Sequence, residues 1–295
     1  MSNIRELKAS IAKNKAIIRN SRVEEFLDSL PELPIFDLVD TSPPYDIGKP
    51  YERIRPLKDY VAWQAEIIKK IVVRMKDNGS ICWQVGNYVN DGCVRPLDIE
   101  LAPIFYNLGL KLRNRIIWTF GHGMHAKRRF SGRHETILWF TKGDNYTFNL
   151  DAVRVPSKYP GKRHFKGAHK GELSGNPLGK NPEDVWNVPN VVGNHIEKTA
   201  HPCQFPVGLV QRLVLALTNE GEIVFDPFAG SASTAVAALS CNRNFVGTEI
   251  DRGYCKIARR RIEKAKKGEE KFRPIDKPVY DPRNSNLSKR PKEWG

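Results

Sequence analysis

An apolar, strand-like run ends in two consecutive prolines in the segment LVDTSPPYDIG, residues 38–48. Proline has no backbone N–H to give to a sheet and forces the residue before it into an extended conformation, so the strand must stop there in a rigid turn. The turn presents the Ser42 hydroxyl, the carbonyl groups of Pro43 and Pro44, and the Tyr45 ring. Because fixed acceptors beside an aromatic ring suit a flat, polar ligand, we predict a ligand platform here.

A second segment, IVFDPFAGSASTAVAAL, reads as a strand, a turn of small residues and a helix. Gly230, Ser231 and Ala232 allow the backbone to approach a ligand closely, and the first turn of the helix offers unpaired N–H groups. Glu249 ends the next strand, 23 positions after Asp226, which is the spacing at which a carboxylate reaches ribose hydroxyls in nucleotide-binding folds. Turn, helix and acid together predict a site for a nucleoside-bearing cofactor.

The elements that would position these segments alternate between short apolar runs and amphipathic stretches, which is typical of an α/β sheet protein. Before residue 142 we predict strands at FDLVDTS, SICWQVG, LRNRIIWTF and HETILWFT, and a helix at PLDIELAPIFYNLG. Another helix is predicted where apolar residues at helical period run from Val61 to Met75, with its end at Asn78 and Gly79. After residue 200, helices at PVGLVQRLVLALT, STAVAALS and residues 251–267 alternate with strands at EIVFDPF and NFVGTEI.

Between about residues 145 and 200 this pattern gives way to glycine, proline and basic residues. The stretch GKRHFKGAHKGELSGNPLGK contains five glycines and little apolar material to bury, which predicts a mobile, cationic loop region. Such a long irregular stretch is unusual inside a compact domain, and long loops commonly carry function. A simple surface linker and a functional insertion both stay open at this point.

The charge balance favours a polyanionic partner. Lys+Arg 48 against Asp+Glu 33 gives a net charge of +15 and a pI of about 9.6, which indicates nucleic acid, with an anionic membrane surface as the alternative. The chain has no apolar run of about 18 residues and no signal-peptide core, so we expect a soluble, cytoplasmic protein without a membrane partner.

The cysteines and histidines give no metal or disulfide signature. Five cysteines are scattered without CxxC spacing: Cys82, Cys93, Cys203, Cys241 and Cys255. This favours a reducing compartment over a disulfide framework or a zinc site. His122 and His125 stand three apart in GHGMH without an acidic or cysteine partner nearby in the sequence, so no metal site is predicted.

Three segments resemble the motifs of the amino-methylating DNA methyltransferases. TSPPY at residues 41–45 is similar to the catalytic motif of that family, DPFAGSAST to its S-adenosylmethionine motif, and HPCQFPVGLVQRLVLALT to the segment that precedes the cofactor motif in the beta class. The catalytic motif comes first, as in the circularly permuted order of that class. The resemblance extends from about residue 20 to residue 267. It implies an α/β fold with a Rossmann-like, S-adenosylmethionine-dependent methyltransferase sheet and an inserted target-recognition region.

The resemblance assigns roles motif by motif. The catalytic residues would be Ser42, Pro43, Pro44 and Tyr45. The S-adenosylmethionine pocket would comprise Asp226, Phe228, Gly230 and Ser231 for the methionine and adenosine parts, Glu249 for the ribose, and His201, Pro202 and Phe205 at the methionine end.

The proline turn then has a chemical purpose. An exocyclic amino nitrogen is a poor nucleophile because its lone pair is delocalised into the base. Acceptors at the Ser42 hydroxyl and the Pro43 carbonyl would hold the amino protons and free the lone pair for attack on the sulfonium methyl. Tyr45 would stack on the flipped base, and no covalent nucleophile is needed.

Three positions qualify the resemblance. Ala232 stands where the second glycine of the turn is usual, which still permits a helix to start. Asn20 to Arg22 read NSR where relatives carry an acidic residue that meets the adenine amino group. Asp46 stands where relatives often have Asn, and we expect it to cap the proline turn.

The target base follows from the residue before the two prolines. Serine there goes with cytosine-N4 methylation in the family and aspartate with adenine-N6 methylation, so Ser42 predicts site-specific methylation of cytosine N4 in duplex DNA, with adenine N6 as the alternative. A catalytically inactive nucleic-acid-binding protein and an RNA methyltransferase are further alternatives. A cognate restriction endonuclease in a restriction-modification system, a solely epigenetic role and a homodimer are left open.

The chain divides into four parts on these grounds. Residues 1–141 form the catalytic half of the methyltransferase domain, 142–200 the target-recognition region, 201–267 the cofactor-binding half and 268–295 a basic C-terminal arm. The predicted contacts to duplex DNA are basic residues in or beside the two least regular stretches: Lys127, Arg128, Arg129, Arg133, Lys162, Arg163, Lys166 and Lys170.

Overall fold

The computed structural model describes residues 2–45, 55–90, 92–121, 123, 125–279 and 289–291. Asp46 and much of the predicted C-terminal arm lie outside these ranges. The strands are β1 (Ala16–Arg19), β2 (Phe36–Thr41), β3 (Met75–Val85), β4 (Asn87–Asn90), β5 (Cys93–Pro96), β6 (Lys111–Thr119), β7 (His134–Thr141), β8 (Val185–Asn187), β9 (Ile223–Asp226) and β10 (Asn244–Thr248). The α-helices are α1 (Ser2–Asn14), α2 (Val23–Asp28), α3 (Leu57–Val72), α4 (Leu97–Asn107), α5 (Val207–Leu217), α6 (Ser233–Ser240) and α7 (Arg252–Lys266).

Eight strands form one sheet in the order β1-β10-β9-β2-β3-β7-β6-β8, and β4 and β5 form a separate hairpin. In this sheet order, the first five strands, β1, β10, β9, β2 and β3, all run parallel to one another. β7 runs antiparallel to both β3 and β6, and β8 is parallel to β6. The α/β sheet expected from the sequence is confirmed.

The middle of the sheet contains a topological switch point. The chain leaves β2 through α3 to reach β3, and it leaves β9 through α6 to reach β10 on the opposite side. β2 and β9 are neighbours, with Leu38 paired to Val224 and Val39 to Phe225. Because ligands of open α/β sheets bind beyond the carboxyl ends of the strands at such a point, the crevice beyond Thr41 and Asp226 is the expected site.

Two apolar clusters sandwich the sheet, since successive side chains of a strand point to opposite faces. Leu38 belongs to the cluster that contains α5 and α6, whereas the next residue, Val39, belongs to the cluster that contains α3 and α4. On the second face Phe36 of β2 stacks on Phe225 of β9 with ring centroids 4.3 Å apart. This stacking fixes the two strands that carry the predicted motifs against each other.

The end of α3 differs from the sequence prediction. The helix stops at Val72, and Met75 begins β3 and pairs with Phe36. Gly79 does not end a helix; it lies where a Cβ would stand 2.9 Å from the backbone oxygen of Asp37, a separation too short for any other residue. The predicted helix extended past Val72 because Met75, the first residue of the buried strand β3, is also apolar and continues the helical spacing of apolar residues.

The N-terminal elements α1, β1 and α2 were not predicted. β1 pairs in parallel with β10, so residues 16–19 lie at the edge of the cofactor-binding half of the sheet. The predicted boundaries at residues 141 and 201 divide the chain along its sequence. In space, the strands of the catalytic half and of the cofactor-binding half belong to one sheet.

The segment 142–200 is anchored at both ends. Val153, Trp186, Val188 and Val191 are buried, and β8 adds a parallel strand to β6. Between the buried residues Val153 and Trp186, every side chain from residue 158 to residue 178 is exposed. The stretch GKRHFKGAHKGELSGNPLGK, predicted as a cationic loop region, thus lies mostly in this exposed centre, while apolar residues on either side of it enter the core.

The chain after α7 begins by packing on the core. Phe272 and Ile275 contact the apolar cluster around α5, and the backbone N–H of Arg273 donates to Oε1 of Glu197 at 3.0 Å. Gly208 admits this segment, because a Cβ there would stand 2.9 Å from the Arg273 carbonyl oxygen. No helix within the described ranges is long and apolar enough to cross a membrane.

Candidate active site

The Ser42–Tyr45 turn follows the end of β2, as its sequence predicts, and β2 lies beside β9 in the sheet. The hydroxyl of Thr41 donates to Oδ1 of Asp226 at 2.6 Å and ties the two strand ends together. The two predicted motifs, 185 positions apart in the chain, are therefore held by a buried hydrogen bond.

Asp226 is fully buried behind the cofactor turn. Its carboxylate accepts hydrogen bonds from Thr41, from Oγ1 of Thr234 at 2.7 Å and from the backbone N–H of Phe228 at 3.0 Å. Burial raises the pKa of Asp226 to about 6, although these hydrogen bonds act to lower it. Asp226 does not line the cavity described below; its hydrogen bonds brace the turn from behind.

Asp40 is a second carboxyl group buried beside this brace. Burial, and then the negative charge of Asp226, raise the pKa of Asp40 well above its ordinary value. Its Oδ2 atom finds no hydrogen-bond partner within the described part of the chain. The mutual repulsion of two buried carboxylates disfavours the state in which Asp40 and Asp226 are both charged.

The turn after β9 has the shape of an anion- and nucleotide-binding loop. Gly230 (φ +51°) and Ala232 (φ +62°) both adopt left-handed backbone conformations before α6 begins. Such a conformation costs a residue other than glycine about 1–2 kcal/mol, so Ala232 holds the turn with some strain. Glu249 fixes the turn from the end of β10, because its carboxylate accepts from the N–H of Gly230 at 2.8 Å and from that of Asp251 at 2.7 Å. Burial raises the pKa of Glu249.

Helix α7 supports the same turn from its outer side. The buried guanidinium of Arg261 donates to the carbonyl oxygen of Ser231 at 2.9 Å and forms an ion pair with Glu270 at 2.7 Å. One arginine of this basic helix is therefore a structural part of the cofactor turn.

His201 closes the pocket over the turn. Its ring packs edge-on against Tyr254 with centroids 4.5 Å apart, and Nδ1 accepts from the N–H of Cys203 at 3.2 Å. A side chain at Gly230 would place its Cβ 3.1 Å from Nε2 of His201. Glycine is therefore favoured at that position by both backbone conformation and space.

A cavity of about 500 Å³ opens beyond the carboxyl ends of β2 and β9. It is lined by Ser42, Pro43, Pro44, Tyr45, His201, Pro202, Phe205, Phe228, Gly230, Ser231 and Glu249. The structure thus brings both predicted motifs and the His201 segment to one pocket, whose volume lies in the usual range for small-molecule sites.

A chain of polar groups crosses the wall beside the proline turn. The Tyr45 hydroxyl donates to Oε2 of Glu135 at 3.1 Å, and the same oxygen accepts from Nε2 of Gln84 at 2.6 Å. Burial, and then the charge of Glu135, raise the pKa of Tyr45 well above its ordinary value, so the phenol keeps its proton. Because that proton is given to Glu135, the 3.2 Å contact between Ser42 Oγ and the Tyr45 oxygen is one in which Ser42 donates. The Ser42 oxygen is left with its lone pairs as an acceptor.

Several residues of the cavity wall were missed by the sequence interpretation. Arg55 lies over the Trp63 ring at 4.3 Å, and the indole N–H of Trp63 donates to Glu24 at 2.9 Å. Ser21, after β1, carries a buried hydroxyl that finds no hydrogen-bond partner among the described residues. Asn20, the position of the departure from the family pattern, donates its side-chain amide to the carbonyls of Glu249 and Ile250. No local motif marks these residues; they reach the site through the pairing of β1 with β10 and the packing of α2 and α3.

The predicted DNA contacts lie in two places. Lys127, Arg128, Arg129 and Arg133 belong to the loop between β6 and β7, where Arg129 and Arg133 line a second cleft of about 740 Å³. The other four, Lys162, Arg163, Lys166 and Lys170, are exposed in the 158–178 surface segment and line neither cavity. No group of three or more His, Cys, Asp and Glu side chains that could hold a metal ion occurs in the described ranges.

Comparison with known proteins decides the family. The family described as DNA methylase, of the N6/N4 type, matches residues 36–260. This chain belongs to the N6/N4 DNA methylase family. The resemblance found in the sequence is confirmed, and enzymes of this family take their methyl group from S-adenosyl-L-methionine.

Individual relatives agree with this assignment. This chain is 55% identical to the type II methyltransferase M.BglII of Bacillus subtilis over 223 residues, which is 75% of this chain and 62% of that protein. The match thus covers less than two thirds of that relative's length. This chain is also 32% identical to the DNA adenine methyltransferase YhdJ of Escherichia coli K12, over 85% of this chain and 83% of YhdJ.

Solved structures show the same fold. PvuII DNA methyltransferase, described as cytosine-N4-specific, superposes with a TM-score of 0.66 at 20% identity and covers 83% of this chain and 85% of its own. TTHA0409 of Thermus thermophilus, crystallised with S-adenosyl-L-methionine, gives a TM-score of 0.60 at 24% identity and covers 84% and 93%. The Rossmann-like methyltransferase fold expected for this DNA methylase is confirmed.

Proposed function

We propose that this protein transfers a methyl group from S-adenosyl-L-methionine to the exocyclic N4 amino group of a cytosine that is flipped out of duplex DNA. The observation that carries the proposal is the meeting of the Ser42–Tyr45 turn and the Gly230 turn in one cavity at the switch point of the sheet. A donor of the methyl group and an acceptor base could be held there side by side, and their alignment would supply much of the acceleration.

The residues of the β9–β10 side fit the cofactor. The absent side chain at Gly230 leaves space beside His201, the first turn of α6 offers N–H groups, and Glu249 presents a carboxylate at the ribose position. Phe228 supplies an apolar wall, and the Ser21 hydroxyl, which has no hydrogen-bond partner among the described residues, offers a hydrogen-bonding group to a polar ligand. When bound there, the cofactor supplies an electrophilic methyl group.

The residues of the β2 side fit the amino group of a base. The Ser42 oxygen is an acceptor because its proton is directed to Tyr45, and the Pro43 carbonyl is a second acceptor on the same turn. Together they can hold the two amino protons and localise the nitrogen lone pair for attack on the methyl carbon. The bond between that carbon and the sulfonium sulfur would break as the new bond forms, and the nitrogen would then lose one of its two protons through the acceptor that holds it to solvent. The Tyr45 ring, held through Glu135, is placed to stack on the base, a contact worth about 1–3 kcal/mol.

Cytosine N4 is proposed as the target because Ser42 precedes the two prolines. The test is to methylate plasmid DNA with the purified protein, digest it to nucleosides and identify the modified base by mass. N4-methylcytosine is the expected product. N6-methyladenine alone would replace cytosine by adenine in the proposal and leave the arrangement of the site unchanged.

Adenine N6 is the second candidate, favoured by the similarity to YhdJ, which is named a DNA adenine methyltransferase. A restriction-modification role is proposed from the similarity to M.BglII, a type II methyltransferase, and it implies a cognate endonuclease as partner. The similarity to M.BamHII of Bacillus amyloliquefaciens, an orphan methyltransferase, favours the alternative of methylation without an endonuclease. Comparing methyl transfer to duplex DNA and to structured RNA tests the choice of nucleic acid.

A further inference from the structure

The loop between β6 and β7 presents one aromatic side chain entirely to solvent. Phe130 is 100% exposed, and no other large apolar side chain in the described ranges is more exposed. Leaving a whole phenyl ring in water forgoes about 1.5–3 kcal/mol of burial energy. Single exposed apolar side chains are common on protein surfaces, so the surroundings of this ring decide whether it has a role.

Hydrogen bonds close the base of this loop. The backbone N–H of Phe120 donates to the carbonyl of Arg133 at 3.1 Å, next to the last pair of the β6–β7 ladder. Further out, the N–H of Ala126 donates to Oγ of Ser131 at 3.0 Å. Phe130 therefore stands beyond a closed neck on an antiparallel hairpin of the main sheet.

The chemistry around Phe130 is that of a DNA contact. Lys127, Arg128 and Arg129 are exposed directly before it, and Arg133 follows three positions later. Cations that neutralise phosphates, combined with an apolar wedge, are the means by which proteins enter and unstack a duplex. A polyanionic partner such as duplex DNA complements the exposed charges of Lys127, Arg128 and Arg129.

The loop also borders the active site. Phe130 lines the second cleft together with Arg129 and Arg133, and Phe120 lines both this cleft and the active-site cavity. A base that leaves the duplex to reach Ser42 leaves a gap in the stack, and a side chain next to its path can fill that gap.

We propose that Phe130 is a wedge that inserts into duplex DNA and stabilises the flipped state of the target base. This inference rests on the proposed function, since a wedge is needed only if a base leaves the stack. It assigns to the β6–β7 loop a task that is distinct from holding phosphates: the phenyl ring replaces the stacking contacts that the neighbouring bases lose.

The chain offers a matched control. Phe165 is 90% exposed and stands between Arg163 and Lys166, so its local chemistry is nearly the same. It lines neither the active-site cavity nor the second cleft. Phe165→Ala removes an equally exposed phenyl ring from a basic loop that does not border the site.

The test compares Phe130→Ala, Phe130→Trp and Phe165→Ala on two DNA duplexes that carry the sequence methylated by the wild-type protein. In one duplex the target base is paired; in the other it is mismatched and already weakly stacked. We expect Phe130→Ala to lower kcat/KM at least tenfold on the paired duplex and less than threefold on the mismatched one, because a mismatched base costs less to flip. Phe130→Trp and Phe165→Ala should stay within threefold of wild type on both.

A second readout follows flipping itself. 2-Aminopurine at the target position becomes fluorescent when it leaves the stack, and we expect this rise with wild-type protein and with Phe165→Ala but not with Phe130→Ala. An equal loss on paired and mismatched duplexes, or a normal fluorescence rise with Phe130→Ala, overturns the wedge. A wild-type protein that binds duplex DNA and S-adenosyl-L-methionine yet methylates no base overturns the proposed function instead.

Discussion

The Tyr45 ring and the Tyr45 hydroxyl have separable tasks at the residue scale. Tyr45→Ala removes the stacking surface and should lower the rate of methyl transfer by about 10- to 100-fold, since a base–aromatic contact is worth about 1–3 kcal/mol. Tyr45→Phe keeps the ring and removes only the group that accepts from Ser42 and donates to Glu135, so a smaller loss, on the order of tenfold, is expected. Single-turnover rates measure both, and calorimetry with S-adenosyl-L-methionine should show unchanged affinity. An equal fall in cofactor affinity would place the residue in the cofactor pocket instead.

Glu249 and Asp226 both contact the cofactor turn, but we expect different results when each is substituted. Glu249→Gln alters a group on the cavity wall and should weaken S-adenosyl-L-methionine binding by at least tenfold, measured by calorimetry, because an amide replaces one of the acceptor oxygens. The Tyr45→Phe variant is the matched control on the other wall and should bind the cofactor as wild type does. Unchanged affinity in Glu249→Gln would remove its ribose role.

The pH dependence of stability should report the burial of Asp226. Its pKa of about 6 in the folded protein lies above the value of 3.8 for an unperturbed carboxyl, so the folded state binds more protons between pH 4 and 6. The free energy of unfolding should therefore fall as pH rises through this window, by on the order of 3 kcal/mol at 1.36 kcal/mol per pKa unit. Asp226→Asn abolishes this contribution, so urea denaturation at several pH values should show the difference between wild type and variant changing over pH 4–6.

The exposed Asp144 supplies a control of opposite sign. Hydrogen bonds from Lys111 and Arg113 lower its pKa, so its contribution stabilises the fold above the ordinary carboxyl pKa and is lost as the pH falls. A constant difference between wild type and Asp226→Asn across the window would contradict the burial of an ionisable carboxyl there.

At the scale of the elements, local signals decide how much the sequence can predict. The strand before Ser42 and the strand–turn–helix around Gly230 carry their own stop signals and periodicity, and the structure has both where the sequence places them. β1 and β8 have four and three residues, and each pairs with a strand that is distant in the sequence, which no local pattern records. The candidate site divides likewise: the motif residues were predicted, whereas Glu135 and Gln84 meet Tyr45 only through sheet pairing.

The link from α7 to the cofactor turn is testable at this scale. Arg261→Met should destabilise the protein by about 3 kcal/mol, because it leaves Glu270 without its partner and the Ser231 carbonyl without its donor. Arg260→Met, at the exposed neighbour on the same helix, should change stability by less than about 0.5 kcal/mol. Chemical denaturation measures both, and equal effects at the two positions would contradict a bracing role for Arg261.

At the scale of the whole molecule, the net charge of +15 does not say which surface meets DNA. Two basic loops and α7 are all candidates by charge alone. The β6–β7 loop and α7 each contribute a side chain to the wall of the active-site cavity, Phe120 and Tyr254, whereas the basic residues Lys162, Arg163, Lys166 and Lys170 line neither cavity. The net positive charge indicates a polyanionic partner, and the position of the active-site cavity indicates which face of the protein that partner must approach.

Salt dependence of DNA affinity distinguishes these surfaces. Each phosphate contact contributes about −0.9 to the slope of log affinity against log salt concentration, so replacing Lys127, Arg128 and Arg129 by Ser should make the slope shallower by up to about 3 units. The matched control replaces Lys256, Arg259 and Arg260, three exposed cations of α7, by Ser and removes the same net charge. If both triple variants shift the slope equally, the effect is one of total charge, and a larger effect of the α7 variant would move the DNA contact to that helix.

The same substitutions at Lys162, Arg163 and Lys166 then test whether the 158–178 segment reaches the duplex, and a relaxed sequence preference in that variant would assign it base-edge contacts in addition to phosphates.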